Sequence, residues 1–153
     1  MIRESEAFKR AVIDEFFHSM TALFVNFPLL LDRGFDIKSL AFGILPAVLI
    51  DLDHFVASRS FSFAKSLSLA MRPRGHSFLF AAVVFLISLI FLPFELAWLL
   101  FSAMLSHLFF DSLGYGYGTP LLWPFSERKP GGRKFALSGL LLLFSLSLLF
   151  SLL

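Results

Sequence analysis

The stretch FLFAAVVFLISLIFLPF at residues 78–94, followed after Glu95 by LAWLLFSAMLSHLFFDSL at residues 96–113, points to a membrane protein. The first run has no charged side chain, and the second has one, Asp111, near its end. A helix crossing a bilayer needs roughly 17–25 mostly apolar residues. Two such runs joined by a turn at Pro93–Glu95 therefore predict a membrane hairpin. Downstream, a Leu/Phe/Ser run from about Phe135 to Leu153 predicts another span. Upstream lie two less regular candidates. One runs from about Ala11 to Leu31 and carries Asp14, Glu15, His18, Asn26 and Pro28. The other runs from about Ile37 to Phe55, with Pro46 inside it and Asp51, Asp53 and His54 at its end. These first two segments are compatible with a partly interfacial placement. The expectation is an all-α, multi-pass transmembrane bundle of four to five helices in one domain, residues 1–153.

Composition agrees. Of the 153 residues, 58% are hydrophobic and only 16% charged, and Phe occurs 22 times. Soluble domains carry about a quarter charged residues, so this chain cannot cover its apolar surface with polar groups, and lipid must do so. The absence of cysteine excludes disulfides, thiolate metal sites and cysteine nucleophiles. A net charge of +2 calls for no nucleic-acid partner. The mixed charges of Arg3, Glu4, Glu6, Lys9 and Arg10 before the first apolar run do not read as a cleavable signal peptide.

The basic residues predict the orientation. With the N-terminus cytosolic, every Lys and Arg except Arg33 and Lys38 falls in the N-terminus, the 55–77 loop or the 114–134 loop. Cytosolic segments of membrane proteins carry such an excess. The expected location is the inner, cytoplasmic membrane, with the lipid bilayer as the partner.

That layout gathers all four histidines at one end of the bundle. His18 lies about two turns into the first helix, His54 closes the second, His76 precedes the third, and His107 sits toward the end of the fourth. His107 and Asp111 are i and i+4 and share a helical face, as do Asp51 and His54 at i and i+3. Imidazole and carboxylate donors together suit a divalent metal, Zn²⁺ first and Mn²⁺ or Fe²⁺ less specifically. In a regular helix Asp53 points about 200° away from Asp51. Both then face one centre only if the helix is frayed there; otherwise one carboxylate orients a histidine. Each residue alone has a plain reading as an interfacial or snorkelling side chain, and Asp111 has Arg128 or Lys129 as a possible ion-pair partner. What those readings leave unexplained is the gathering of the histidines.

At these residues the chain resembles the YdjM-like family of membrane-bound, predicted metal-dependent hydrolases. The stretches carrying the resemblance are His18-Ser19, Ile50-Asp51-Leu52-Asp53-His54, Arg74-Gly75-His76-Ser77 and Ser106-His107-Leu108-Phe109-Phe110-Asp111. They are followed by Gly114 to Gly118 and by Trp123-Pro124-Phe125-Ser126. Two departures stand out: Ile50 replaces the proline before the first aspartate, and Met71 stands where the family has an additional histidine. The family in turn is similar to the zinc-dependent phospholipase C and single-strand nuclease superfamily. That likeness implies one metal site from Asp51, His76, His107 and Asp111, with His18 serving a second ion bridged by Asp111. No histidine follows His107, so the likeness implies one or two ions and no third.

The expected activity is hydrolysis of a phosphoester or other ester by a metal-activated water. Asp53 is a candidate catalytic base or orienting carboxylate, His54 a further candidate ligand, and Arg72 and Arg74 candidate substrate contacts, since guanidinium matches phosphate. The plain reading of the two arginines is topogenic. Gly114 to Gly118 reads as a substrate loop or a simple turn, and Tyr115, Tyr117 and Trp123 as interfacial anchors. Three rival functions fit parts of the pattern. Lys65 to Arg72-Pro73, with His107 and Asp111, echoes the metal-independent lipid phosphate phosphatases, but Phe101 stands where those enzymes need an arginine. A metal-ion transporter or sensor would use the same ligands, although no polar path leads to the far side. A structural membrane subunit would carry no stoichiometric metal. No HExxH element and no Gly-rich phosphate loop is present.

Overall fold

The computed structural model describes residues 3–69, 72–113, 119–126 and 132–153. Among them the chain is all-helical: α1 Glu4–Asp32, α2 Ile37–Leu49, α3 Leu52–Ser58, α4 Phe63–Ser66, α5 Phe78–Phe91, α6 Phe94–Asp111 and α7 Arg133–Ser151. No strand occurs among the described residues. Three segments are long and apolar enough to cross a membrane: Ile37–Ser58 taken through its break, α6 and α7. α5 is a shorter apolar helix. α1 is longer than any of them, but Asp14, Glu15, His18 and Asn26 dilute its hydropathy, and it is not among the three.

The expected 37–55 helix is divided. α2 ends at Leu49, one turn after Pro46, and α3 begins at Leu52. Between them the backbone keeps right-handed helical dihedrals but tightens, with Asp51 N bonded to the Val48 carbonyl and Asp53 N to the Ile50 carbonyl. α1 begins at Glu4 and not near Ala11; Glu4 and Glu6 in its first turn suit the positive end of the helix dipole. The turn between α5 and α6 is tighter than expected, with Phe94 and Glu95 already in the first turn of α6 behind Pro93.

α4 lies within the expected 55–77 loop. It is held at its N-terminus by Ser62, whose Oγ accepts from Lys65 N, and by Glu4. The Glu4 carboxylate accepts from Phe63 N at 2.6 Å, from Ala64 N at 3.2 Å and from Ser62 Oγ at 2.9 Å.

α6 is the hub, packed against α1, α2, α5 and α7. Its face is rich in small residues, and Ala103 meets Ala22 of α1 and Ala47 of α2 in a fully buried cluster. Small side chains let helix backbones approach closely where lipid provides no hydrophobic drive between helices. Beside that cluster Asn26 donates to the carbonyls of Gly43 at 2.9 Å and Leu99 at 3.3 Å, and accepts from Ser102 Oγ. Trp98 Nε1 donates to Ser147 Oγ at 3.0 Å, tying α6 to α7. On the same seam the Phe109 ring lies over Gly139, where an added Cβ would sit 2.3 Å from the ring. The periphery is apolar: Phe16, Phe24, Ile90, Phe91, Leu141 and Leu142 are all exposed. Such a surface belongs in lipid.

Candidate metal centre

Two features of the backbone assemble the site. The helix tightens to i→i+3 hydrogen bonds at Ile50–Asp51, and Asp51 and Asp53, which would diverge on one regular helix, meet the same imidazole at its two nitrogens. Asp51 Oδ1 is 2.8 Å from His76 Nε2, and Asp53 Oδ2 is 3.2 Å from His76 Nδ1. The second feature is the segment before α5, which carries His76 into the bundle until it is fully buried. Gly75 permits that approach, because a Cβ there would lie 2.3 Å from Asp53 Oδ2. Ser77 then caps α5, accepting from Phe80 N.

α6 supplies the other half. His107 is fully buried, and its Nδ1 donates to the Ala47 carbonyl at 2.6 Å. A carbonyl only accepts, so Nδ1 holds the proton, and Nε2 turns its lone pair inward. It faces Asp111 Oδ2 at 3.4 Å and Asp51 Oδ1 at 3.5 Å. His107 Nε2 and Asp111 Oδ2 are both buried without a hydrogen-bond partner. A lone pair and two carboxylates converging in a buried space disfavour one another unless a cation lies between them. Imidazole held by a carbonyl on one nitrogen, or by a carboxylate as in His76–Asp53, is the arrangement that fixes a histidine for metal ligation. The donor set Asp51, His76, His107 and Asp111 therefore fits a divalent ion. Against burial, Asp51 and Asp53 raise His76 to about 9, so a proton and a metal ion compete for its Nε2.

His18 stacks on His107 with ring centroids 3.7 Å apart. Its Nε2 lies 3.5 Å from Asp111 Oδ1 and 3.7 Å from Asp14 Oδ1, and neither ring nitrogen is hydrogen-bonded. His54 stands differently. Its Nδ1 reaches the Ser66 carbonyl at 3.4 Å, and its Nε2 accepts from Arg72 Nη1 at 3.2 Å while lying 3.4 Å from Asp51 Oδ1. Asp51, Asp53, His18, His54, His76, His107 and Asp111 thus meet in one cluster, at the junction of α1, α3 and α6 with the segment before α5.

The two arginines part company. Arg72 is directed inward, with Nη2 2.8 Å from Asp111 Oδ1 and 3.8 Å from Asp14 Oδ2, and Nη1 3.6 Å from Asp51 Oδ1. Burial opposes its charge, but Asp111, Asp51, Asp14 and Asp53 outweigh burial and hold its pKa above the ordinary value. Arg74 lies over the Trp123 ring, 5.3 Å from its centroid, in a cleft of about 520 Å³ that Asp53 and Gly75 also line. Lys65, the opening residue of the phosphatase-like pattern, is exposed on α4. Met71, Gly114 to Gly118 with Tyr115 and Tyr117, Arg128 and Lys129 lie outside the described residues.

Two acidic residues of the cluster were not singled out from the sequence. Asp14 approaches His18, and the signal was present, since the pair has the same i, i+4 spacing as His107 and Asp111. Glu15 has a buried, unpartnered Oε2 and lines a small cavity of about 50 Å³ with Asp14, Asp51, His54 and Arg72. Apart from Asp14, the polar neighbours named there come from outside α1, and no local spacing points to them.

No curated protein and no solved structure matches the chain. The family model described as YdjM inner membrane protein matches residues 13–153, which takes in α1 from Ile13 onward, every later helix and every member of the cluster. The chain belongs to the YdjM inner membrane protein family.

Proposed function

We propose that this protein is a membrane-embedded, metal-dependent hydrolase. Its centre lies at the cytosolic face, with the N-terminus on that side, and its substrate is a phosphoester or other ester at headgroup level. The observation that carries the reading is the His107–Asp111 pair, whose facing atoms are buried and unpartnered while the Ala47 carbonyl fixes the proton on the far nitrogen. Asp51, His76, His107 and Asp111 would hold the ion, and their nitrogen and oxygen donors favour Zn²⁺. A divalent ion bound there would lower the pKa of a water and polarise a phosphoryl or carbonyl oxygen.

The chain's own groups supply the rest. Ala47 and Asp53 orient the two imidazoles. Asp53 also lines the cleft, where a carboxylate can take a proton from an attacking water. Arg74, whose guanidinium carbon lies 5.3 Å from the Trp123 ring centroid, lines the same cleft and offers N–H groups to a phosphoryl oxygen entering it. The cytosolic placement rests on the distribution of basic residues. The family description supports an inner-membrane location, and the exposed apolar periphery supports the bilayer as surroundings.

The test is hydrolysis of chromogenic phosphomonoester, phosphodiester and carboxylester substrates by the purified protein. The expected activity is abolished by chelator, restored by Zn²⁺, indifferent to vanadate and lost in His107→Ala. Activity blocked by vanadate and untouched by chelator would contradict the reading and favour the phosphatase-like alternative. Metal flux in proteoliposomes without hydrolysis would favour a transporter.

A further inference from the structure

We propose that the guanidinium of Arg72 is the second cation of this centre, so that the chain binds a single divalent ion and not a pair. The proposal rests on the metal reading above and deepens it. Beside the set Asp51, His76, His107 and Asp111, two carboxylates flank His18, whose Nε2 lies 3.7 Å from Asp14 Oδ1 and 3.5 Å from Asp111 Oδ1. By residue type this is a place for another ion, with Asp111 shared between the two. Arg72 is already there. Its Nη2 is 2.8 Å from the same Asp111 oxygen that faces His18, and 3.8 Å from Asp14.

An ion bonded to Asp111 Oδ1 at about 2.0–2.2 Å would share that oxygen with a permanent positive charge. Guanidinium does not lose its proton in a protein, so the repulsion has no relief by titration. Nor is Arg72 free to leave. His54, whose Nδ1 is turned to the Ser66 carbonyl, offers Nε2 to Arg72 Nη1 at 3.2 Å, and the arginine side chain is 19% exposed. His54 is then a positioning residue for Arg72 and not a ligand. The other Asp111 oxygen, Oδ2, remains directed at His107 and His76, at 3.4 Å and 3.8 Å. One carboxylate thus joins a metal ion on one side to a guanidinium on the other. Two positive centres that close together suit the charge that develops on a phosphoryl group during transfer.

The experiment is metal stoichiometry by elemental analysis of the full chain in detergent, loaded with Zn²⁺ and exchanged into metal-free buffer. Wild type, Arg72→Lys and His18→Ala are each expected to hold one ion per chain, and Arg72→Gln two. Two ions in wild type, falling to one in His18→Ala, would overturn the proposal. So would a single ion in a folded Arg72→Gln, monitored by tryptophan emission. If Arg72→Gln does not fold, one ion in both wild type and His18→Ala supports the proposal by itself. Wild type with no ion would overturn the metal reading itself, a result distinct from a wrong count.

Discussion

Asp53 Oδ2 stands 3.2 Å from His76 Nδ1, on the side of the ring opposite Asp51. The imidazole is gripped at both nitrogens, and the outer grip sets which nitrogen faces the centre. Carboxylates that hold a ligating histidine from behind contribute roughly 10–100-fold to metal affinity. Asp53→Ala is therefore expected to weaken Zn²⁺ binding by about that factor without abolishing it, as read by competition with a chromophoric chelator. Unchanged affinity would remove Asp53 from this role.

Gly75 predicts a related loss by a different route. A methyl group there would sit 2.3 Å from Asp53 Oδ2, so the carboxylate must move away from His76. Gly75→Ala should lower metal affinity in the same direction as Asp53→Ala, and the double variant should lose little more than either single one. Additive losses in a double-mutant cycle would show that the two act separately.

Asn26 provides a test of packing that leaves the centre alone. Its amide joins α1 to the carbonyls of Gly43 and Leu99 and to Ser102. Interhelical side-chain hydrogen bonds in membranes contribute about 0.6 kcal/mol on average and up to about 1.7 kcal/mol. Asn26→Leu is expected to destabilise the bundle by about 1–2 kcal/mol in a reversible detergent unfolding assay, with metal stoichiometry unchanged. Gly139→Ala should have a larger effect, about 1–3 kcal/mol, because Phe109 has no room to accept a Cβ.

Acid should release α4 before the helices it leans on. Hydrogen bonds from Ser62, Ala64 and Phe63 hold the Glu4 carboxylate below its ordinary pKa. A depressed carboxylate stabilises the fold above its unfolded pKa, and that contribution is lost as pH falls through the folded value. Hydrogen exchange at the amides of Phe63 and Ala64 should therefore accelerate, relative to α6, once pH drops below the ordinary glutamate range. Glu4→Gln should show the fast exchange already at neutral pH.

Much of this architecture was legible in the sequence because lipid imposes a simple rule. Apolar runs such as residues 78–94 and 96–113 have no other stable environment. The i, i+4 spacing of His107 and Asp111 likewise fixes a shared helical face whatever surrounds it. What was not legible depends on contacts between distant elements. The tightened backbone at Ile50–Asp51 has no local signal, yet Asp51 and Asp53 both reach His76 there. The Ala47 carbonyl that orients His107 carries no side-chain signature at all. Arg72 reads as a phosphate contact in a basic loop, and only the approach of Asp14 and Asp111 turns it inward. Glu15 reads only as a charge in an imperfect apolar helix, yet its Oε2 is buried and it lines a cavity with Asp51 and His54.

The most direct test of the central claim is the metal content of the purified protein, wild type against His107→Ala combined with Asp111→Ala. Wild type is expected to carry stoichiometric divalent metal, with zinc the dominant element, and the double variant none while keeping its helical content. Wild type without stoichiometric metal after zinc loading would contradict the account.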